Sequence, residues 1–217
     1  MNWILGAVAA FLIGSLPWGL WTGRLVRGID VRRHGSGNLG ATNVYRVLGP
    51  GWGITVLLLD AAKGVAAVLL ARQLCGGDGG AWGGLVGLAG SVLGHSFSPF
   101  AGFRGGKGVA TAAGAWGALA PAALGCALAA WTVFFAATRI VSAASMAASV
   151  VLPVAVGLLR QRGQAAARDP IFWLAVLTAI LLLLRHRSNL ERLLHGREKP
   201  LALRGPAREP RTGGEGR

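Results

Sequence analysis

Charge is scarce in this chain, and acidic charge is scarcest. Only 14% of its 217 residues are charged, with 8 Asp and Glu against 22 Lys and Arg and a formal net charge of +14. An ordinary soluble domain carries nearer 25% charge of both signs, so that class is excluded. There are two cysteines, Cys75 and Cys126, in no C-x-x-C pattern. That excludes a disulfide framework and a zinc site. No Cys/His/carboxylate spacing suggests a metal, and no cofactor is expected. No basic segment precedes the first apolar run, so that run reads as a retained membrane helix and not a signal peptide. A nucleic-acid binder can be this basic, but it does not carry long apolar runs, so no nucleic-acid partner is expected.

What is there is apolar. Hydrophobic residues make up 53% of the chain, and mean hydropathy is +0.53. Apolar runs fall at roughly 2–23, 52–72, 80–100, 108–120, 122–137, 141–159 and 170–185. A full crossing takes about 20 apolar residues. Residues 108–137 are long for one span and short for two. Pro121 divides them and lacks the N–H an unbroken helix would use. The expected architecture is therefore an all-α polytopic membrane bundle of about seven helices; one kinked helix at 108–137 would give six. With residue 1 outside, only Arg72, Arg160, Arg162 and Arg168 of the 22 Lys and Arg lie in outer loops, and Lys63 lies inside a span. Positive-inside bias favours that arrangement. Trp3, Trp52, Trp82 and Trp173 fall near span ends, where indole suits the interface. The glycines at 83, 84, 87, 90 and 94 read as helix-packing positions. Residues 1–198 are expected to form one transmembrane unit, and 199–217 a disordered basic tail.

Residues 34–46 read HGSGNLGATNVYR, and Gly35-Ser36-Gly37-Asn38-Leu39-Gly40 matches G-x-G-x-x-G. That fingerprint works only between a strand and a helix, with an acidic residue about 20 positions on. Here a short charged stretch precedes it, and an apolar span follows. The stretch FRGGKGVATAAG (103–114) invites a P-loop reading, but G-x-x-x-x-G-K-[ST] fails at Ala101 and Gly108. The physics beneath both motifs survives. Gly permits close backbone approach, and successive amides near a helix N-terminus attract anions. Asn38, Thr42 and Asn43 add neutral donors, and Arg46 can grip a phosphate with two parallel bonds. In the second loop Gly105, Gly106 and Gly108 surround Lys107. Both loops come out on the inner side, which points to one site for phosphate-bearing ligands. The plainer alternative is two flexible turns whose cations obey the positive-inside rule.

Four further features sit on the same side. Ser142 and Ser145 follow Arg139, as helix caps or ligand donors. RHRSNLERLLHGRE (185–198) reads as an amphipathic surface helix, and His186 and Asn189 share one of its faces. His95 precedes the second loop as a loop organiser or substrate contact. Asp60 and Lys63 form an i,i+3 pair inside a span, read as mutually neutralising and structural.

Taken together, GSLPWG, DVRRHGSGNLGATNVYRVLG, DAAKG, GHSFSPFAGFRGGKGVAT, RIVSAAS and RHRSNLERLLHGRE resemble the bacterial membrane acyltransferases that use acyl phosphate and glycerol 3-phosphate. The resemblance runs from about residue 14 to residue 198. It implies transfer of the acyl group to the 1-hydroxyl of glycerol 3-phosphate, giving lysophosphatidate and inorganic phosphate, without CoA. It also implies seven helices in the bacterial cytoplasmic membrane, an outside N-terminus, an inner active site, and functional coupling to the enzyme that makes acyl phosphate. The catalytic positions correspond to Ser36, Arg46, Lys107 and Ser145. Substrate binding falls to Gly35, Gly37, Asn38, Gly40, Thr42, Asn43, His95, Gly105, Gly106, His186 and Asn189. The chain departs from the family pattern at Pro99, one place later than usual, at Arg104 in place of Lys, and at Ser188 in place of Glu.

Acyl phosphate is a mixed anhydride with an activated carbonyl, so no covalent enzyme intermediate is required. The task is to hold two polyanions together and aim a hydroxyl. No Ser-His-Asp set is visible, and no H-x-x-x-x-D motif is present. No side chain stands out as the base: a substrate phosphate oxygen, its second pKa being about 6, can take the proton, and Ser36 can relay it. A transporter of an organic phosphate is the competing class, but its site would lie near the midplane.

Overall fold

The computed structural model describes residues 2–76, 79–160 and 169–202. Every regular element among them is helical. The expected outer-loop residues Arg162 and Arg168, and tail residues 203–217, lie outside the described residues.

The first apolar run is two helices, α1 (Trp3–Gly14) and α2 (Trp18–Arg27), where the sequence suggested one. Pro17 breaks it, because proline offers no N–H to the preceding turn. The Leu16 carbonyl freed by the break accepts a hydrogen bond from Lys63 Nζ at 2.7 Å. The Ser15 carbonyl accepts one from the Ser98 hydroxyl. A single 3-10 turn (Val31–Arg33) leads to the short amphipathic helix α3 (Ala41–Leu48). Then come α4 (Pro50–Cys75), α5 (Gly79–Ser96) and α6 (Val109–Leu119). The chain continues through α7 (Pro121–Thr138), α8 (Val141–Arg160), α9 (Pro170–Arg185) and α10 (Arg187–Leu194). The break expected at Pro121 is present: Ala120 leaves the helical region and Pro121 opens α7.

Each of the seven apolar runs is occupied by helix. Among the described residues, four segments are individually long and apolar enough to cross a membrane: Trp3–Arg27, Pro50–Cys75, Pro121–Thr138 and Val141–Arg160. A fifth is added if α9 and α10, bent by 60° at their junction, form one span. Glycine dilutes the hydropathy of α5, and α6 has only 11 residues, about 16 Å of helix. Large apolar side chains such as Ile4, Leu58, Val133 and Leu158 point outward and are more than half exposed. With helices this apolar, that outward face is the lipid face of a multi-pass membrane protein.

Helix α4 is the hub and packs on α1, α3, α5 and α6, while α7 to α9 follow as neighbours. The main core joins Val68, Leu88, Val92, Trp116, Leu152, Val156 and Leu182. A second cluster, Leu20, Val31, Leu39, Val44 and Val56, pins the 31–48 loop and α3 onto the bundle. Small residues allow the contacts, as expected where lipid supplies no hydrophobic drive between helices. A Cβ on Gly64 would lie 2.1 Å from the Thr111 carbonyl oxygen, and one on Gly114 only 1.9 Å from that of Ala61. Helices α4 and α6 therefore meet backbone to backbone.

This contact gives a stability prediction. Gly114→Ala should destabilise the protein by about 1–3 kcal/mol through overpacking, seen as a lower Tm in detergent. Gly125→Ala, where a Cβ meets nothing within 4 Å, should leave Tm unchanged or slightly raised.

Candidate active site

The four polar motifs converge at one end of the bundle on a single cavity of about 280 Å³. Its polar lining includes Ser36, Arg46, Lys107, Ser142, Ser145, His186, Asn189 and Glu198. Its apolar lining includes Leu57, Val109, Ala113, Leu128 and Trp131.

The first loop is built around Asn43, which is buried. Its Nδ2 donates toward the carbonyls of Val31 (2.9 Å), His34 (3.1 Å) and Asn38 (2.8 Å). Its Oδ1 accepts from the Ser36 amide at 2.7 Å and the Ser36 hydroxyl at 3.1 Å. Asn43 thus shapes the loop, although it also borders the cavity. Gly35 and Gly37 take positive φ in the turn and are not among the lining residues. A Cβ on Gly35 would lie 2.3 Å from Asn43 Oδ1, so glycine is needed for the loop to close on that side chain. Asn38 Oδ1 accepts from the Gly40 amide at 2.8 Å, and Gly40 caps α3. Helix α3 carries Thr42 and Arg46 to the cavity. Arg32, read in sequence only as loop charge, grips Asp30 through Nε and Nη2 and donates from Nη1 to the Ala101 carbonyl at 2.8 Å. It ties the first loop to the second, and its guanidinium holds the Asp30 carboxyl down to about 2.

The second loop is pressed onto the end of α5. A Cβ on Gly105 would lie 2.0 Å from the His95 carbonyl oxygen, and one on Gly106 2.2 Å from His95 Nε2. Arg185 Nη2 donates to the carbonyls of Gly105 (3.0 Å) and Gly106 (2.8 Å). These two glycines are not among the cavity-lining residues; they fasten the loop and leave Lys107 to project. His95 is buried, with Nδ1 3.2 Å from the Thr111 hydroxyl and 3.6 Å from Asp60 Oδ1. Asp60 in turn pairs with Lys63 at 2.8 Å. Asp60 and His95 both border the cavity, so the pair read as purely structural adjoins the site.

Lys107 donates to Asn189 Oδ1. Asn189 Nδ2 donates to Glu198 at 2.6 Å, which also accepts from Ser142 (2.7 Å) and Arg192 Nε (2.6 Å). Gly196, at positive φ, turns the chain back so that Glu198 reaches the cavity. Burial alone would push the Glu198 carboxyl up, but the hydrogen bonds from Ser142, Arg192 and Asn189 outweigh it and hold it low. Burial pulls the Lys107 ammonium down to about 8; the Glu198 carboxylate opposes this, and Arg192, Arg46 and Arg185 add to it. Arg46 Nη2 donates to the Lys199 carbonyl at 3.1 Å, so the chain after α10 closes over the site. His186 Nδ1 lies 2.8 Å from the Leu182 carbonyl. A carbonyl only accepts, so Nδ1 carries the proton and Nε2 is the acceptor of the neutral ring.

The structure therefore brings together Ser36, Asn38, Gly40, Thr42, Asn43, Arg46, His95, Lys107, Ser145, His186 and Asn189. Gly35, Gly37, Gly105 and Gly106 stand behind the surface as loop formers. Sequence reasoning missed Glu198, Trp131, Thr111 and the approach of Asp60 to His95. Glu198 lies inside the quoted 185–198 motif, but only the turn at Gly196 shows that it folds back. Cationic, hydroxyl and carboxamide side chains sharing one lining with apolar ones suit an amphiphilic phosphate-bearing ligand.

The sequence model of the family described as "Glycerol-3-phosphate acyltransferase" matches residues 4–196. A relative of that name from Anaeromyxobacter dehalogenans (strain 2CP-C) is 45% identical, the match covering 90% of this chain and 97% of the relative. Another, from Gloeobacter violaceus, is 47% identical, covering 91% and 96%. Among solved structures, the glycerol 3-phosphate form of PlsY (YgiH), an integral membrane glycerol 3-phosphate acyltransferase, is similar with a TM-score of 0.81 at 36% identity, covering 93% of this chain and 96% of that one. Its lysophosphatidic acid form gives a TM-score of 0.79 at 35% identity, covering 94% and 97%.

The depressed Lys107 ammonium gives a pH prediction. Below about 8 it is charged, and above it becomes neutral. Affinity for a phosphomonoester, measured by calorimetry, should therefore fall as pH rises from 7 to 9, although the ligand itself stays a dianion. Lys107→Arg should flatten that fall, because guanidinium stays charged throughout.

Proposed function

The chain belongs to the glycerol-3-phosphate acyltransferase family, and on that premise we propose how its residues carry the reaction and which donor it uses. It is a membrane enzyme that acylates glycerol 3-phosphate, and nothing in the comparisons supports the transporter alternative. The donor in this reading is acyl phosphate, and the products are lysophosphatidate and inorganic phosphate. The observation that carries it is one cavity lined both by the cations Arg46 and Lys107 and by apolar side chains such as Leu57, Val109 and Leu128. One pocket can hold a phosphate head and admit an acyl chain, which passes between Leu57 and Leu128, both about half exposed toward lipid.

In this mechanism Lys107 and Arg46 neutralise the two phosphates, whose mutual repulsion is the main obstacle to bringing the reactants together. The Ser36 loop, with Thr42 and the start of α3, supplies neutral donors. The glycerol hydroxyl attacks the acyl carbonyl, its C–O bond forms, and the acyl–phosphate C–O bond breaks. Phosphate leaves, and a substrate phosphate oxygen takes the hydroxyl proton. Positive charge beside the leaving group lowers the barrier more than it stabilises the ground state, because charge builds there in the transition state.

The same convergence supports seven crossings. Residues 34–46, 104–108, 139–145 and 185–198 all reach one cavity. Between each successive pair the chain leaves and returns, through α4 and α5, α6 and α7, and α8 and α9. The first span then puts residue 1 on the opposite face. Positive-inside bias assigns the site face to the cytoplasm, in the bacterial cytoplasmic membrane. Coupling to the enzyme that makes acyl phosphate belongs to the same reading.

The test is product analysis with purified protein in lipid nanodiscs. Palmitoyl phosphate with labelled glycerol 3-phosphate should yield lysophosphatidate, whereas palmitoyl-CoA and acyl carrier protein donors should not. Lys107→Ala and Ser36→Ala should each cut the rate by about 100-fold or more. A thioester donor used as well as acyl phosphate would overturn the donor, and near wild-type turnover in either variant would remove that residue's role.

A further inference from the structure

Ser145 has the most constrained hydroxyl in the cavity. The residue is 4% exposed, yet it lines the pocket. Its Oγ donates to the Val141 carbonyl, four residues back, at 2.8 Å. The same oxygen accepts from Trp131 Nε1 at 3.2 Å. A serine hydroxyl has one proton and two lone pairs. With the proton on Val141 and one lone pair on the indole, what remains for a ligand is a single lone pair. Ser145 in this arrangement is neither a nucleophile nor an oxyanion donor; it is an acceptor.

Trp131 is well placed to fix that state. Its ring stacks on Phe135 with centroids 4.8 Å apart and planes at 21°. It sits on α7 and its N–H reaches Ser145 on α8; both line the cavity, the indole as part of its apolar lining and the hydroxyl as part of its polar lining, so the pair forms a boundary between the two. An acyl carbonyl and an attacking hydroxyl have to meet at that boundary, since the chain belongs on one side of it and the phosphates on the other.

We propose that Trp131 is a positioning residue for acyl transfer: its indole N–H holds the Ser145 oxygen so that the free lone pair receives the attacking hydroxyl of glycerol 3-phosphate at the edge of the apolar slot. The inference rests on the acyl-phosphate reading above. It assigns Trp131 a role through Ser145, in orienting the hydroxyl, and leaves phosphate binding to Lys107 and Arg46. Its signature is therefore a fall in kcat with little change in KM for glycerol 3-phosphate.

Trp131→Phe keeps an aromatic wall and removes the donor. Trp131→His restores an N–H at the corresponding ring position, two bonds from Cγ. With palmitoyl phosphate in nanodiscs, Trp131→Phe should lower kcat by about fivefold to tenfold, the worth of one ordinary hydrogen bond. KM for glycerol 3-phosphate should stay within about twofold, because Trp131 makes no phosphate contact in this scheme. Trp131→His should recover at least half of the lost kcat, and Ser145→Ala should lose at least as much as Trp131→Phe. Wild-type kcat in Trp131→Phe or in Ser145→Ala would overturn the proposal. So would a Trp131→His enzyme no faster than Trp131→Phe, which would mark the residue as packing alone. Should Trp131→Phe fail to fold, Trp131→Met replaces it as the donor-free variant. If the wild-type protein forms no lysophosphatidate from palmitoyl phosphate, the donor reading has failed; if it does and the variants behave as wild type, only the role of Trp131 has.

Discussion

The site depends on keeping a lysine charged where most of its water has been removed. An ammonium taken out of water loses solvation that one hydrogen bond does not replace. Lys107 is held by the Asn189 carboxamide oxygen, with the Glu198 carboxylate one step further on. That is enough to keep it ionised at neutral pH and not enough to saturate it. Two of its three donors and its net charge are still available to an anion. The surrounding parts serve this state. Arg185 and His95 fasten the glycines before Lys107, helix α10 carries Asn189, and the turn at Gly196 brings Glu198 back. A carboxylate inside a phosphate site is costly for the ligand, but here it is fully engaged by Ser142, Asn189 and Arg192. It organises the donors around it from the cavity wall.

The rest of the fold follows from placing four loops at one end of a thin bundle. Each loop must leave a helix, touch the cavity and return to the next helix with its backbone groups satisfied, because lipid supplies no partners. The structure meets that demand with internal acceptors. The broken turn at Leu16 and Pro17 is capped by Lys63, whose charge is matched by Asp60. In the first loop one buried asparagine, Asn43, takes up the carbonyls of Val31, His34 and Asn38 and the amide of Ser36. Backbone contacts such as Gly64 on Thr111 and Gly114 on Ala61 let α4 and α6 approach closely enough to bring His95, Asp60 and Lys107 into one wall.

Much of this was legible in the residues. The apolar runs, the break at Pro121 and the convergence of Ser36, Arg46, Lys107, Ser145, His186 and Asn189 follow from hydropathy, proline chemistry, charge sidedness and the family motifs. What was not legible depends on distance in space. The break after Gly14 looks apolar and continuous until Pro17 is given its missing N–H. Gly35, Gly105 and Gly106 satisfy the rule for phosphate-cradling glycine equally well whether their amides face a ligand or their Cα atoms face Asn43 and His95. Asn43 reads as a donor for a ligand, and only its five partners show that its donors are spent on the loop. Trp131 sits in a run of apolar residues, and nothing in that run marks it as the one whose N–H points at Ser145. Arg32 likewise looks like one more inner-loop cation, until its bonds to Asp30 and Ala101 show it stitching two loops together.

The pair formed by Asp60 and His95 invites comparison with the carboxylate–imidazole bases of hydrolases, but the surroundings differ. In those sites the carboxylate is aimed at one imidazole N–H and the other nitrogen faces the nucleophile. Here the Asp60 carboxylate is shared with Lys63, at 2.8 Å, and His95 Nδ1 stands 3.6 Å away, closer to the Thr111 hydroxyl. The other ring nitrogen, Nε2, lies against the backbone of Gly106, where a Cβ would come within 2.2 Å of it. The imidazole is therefore packed as a support for the second loop. A base is also the part this chemistry needs least. With acyl phosphate as the proposed donor, the carbonyl arrives activated, and the leaving phosphate and the acceptor phosphate each bring oxygens that can take a proton near neutral pH. What the substrates cannot supply is the cancellation of their own repulsion and a fixed direction for the hydroxyl. In the proposed mechanism Lys107 and Arg46 answer the first need, and the acceptor lone pair on Ser145 answers the second.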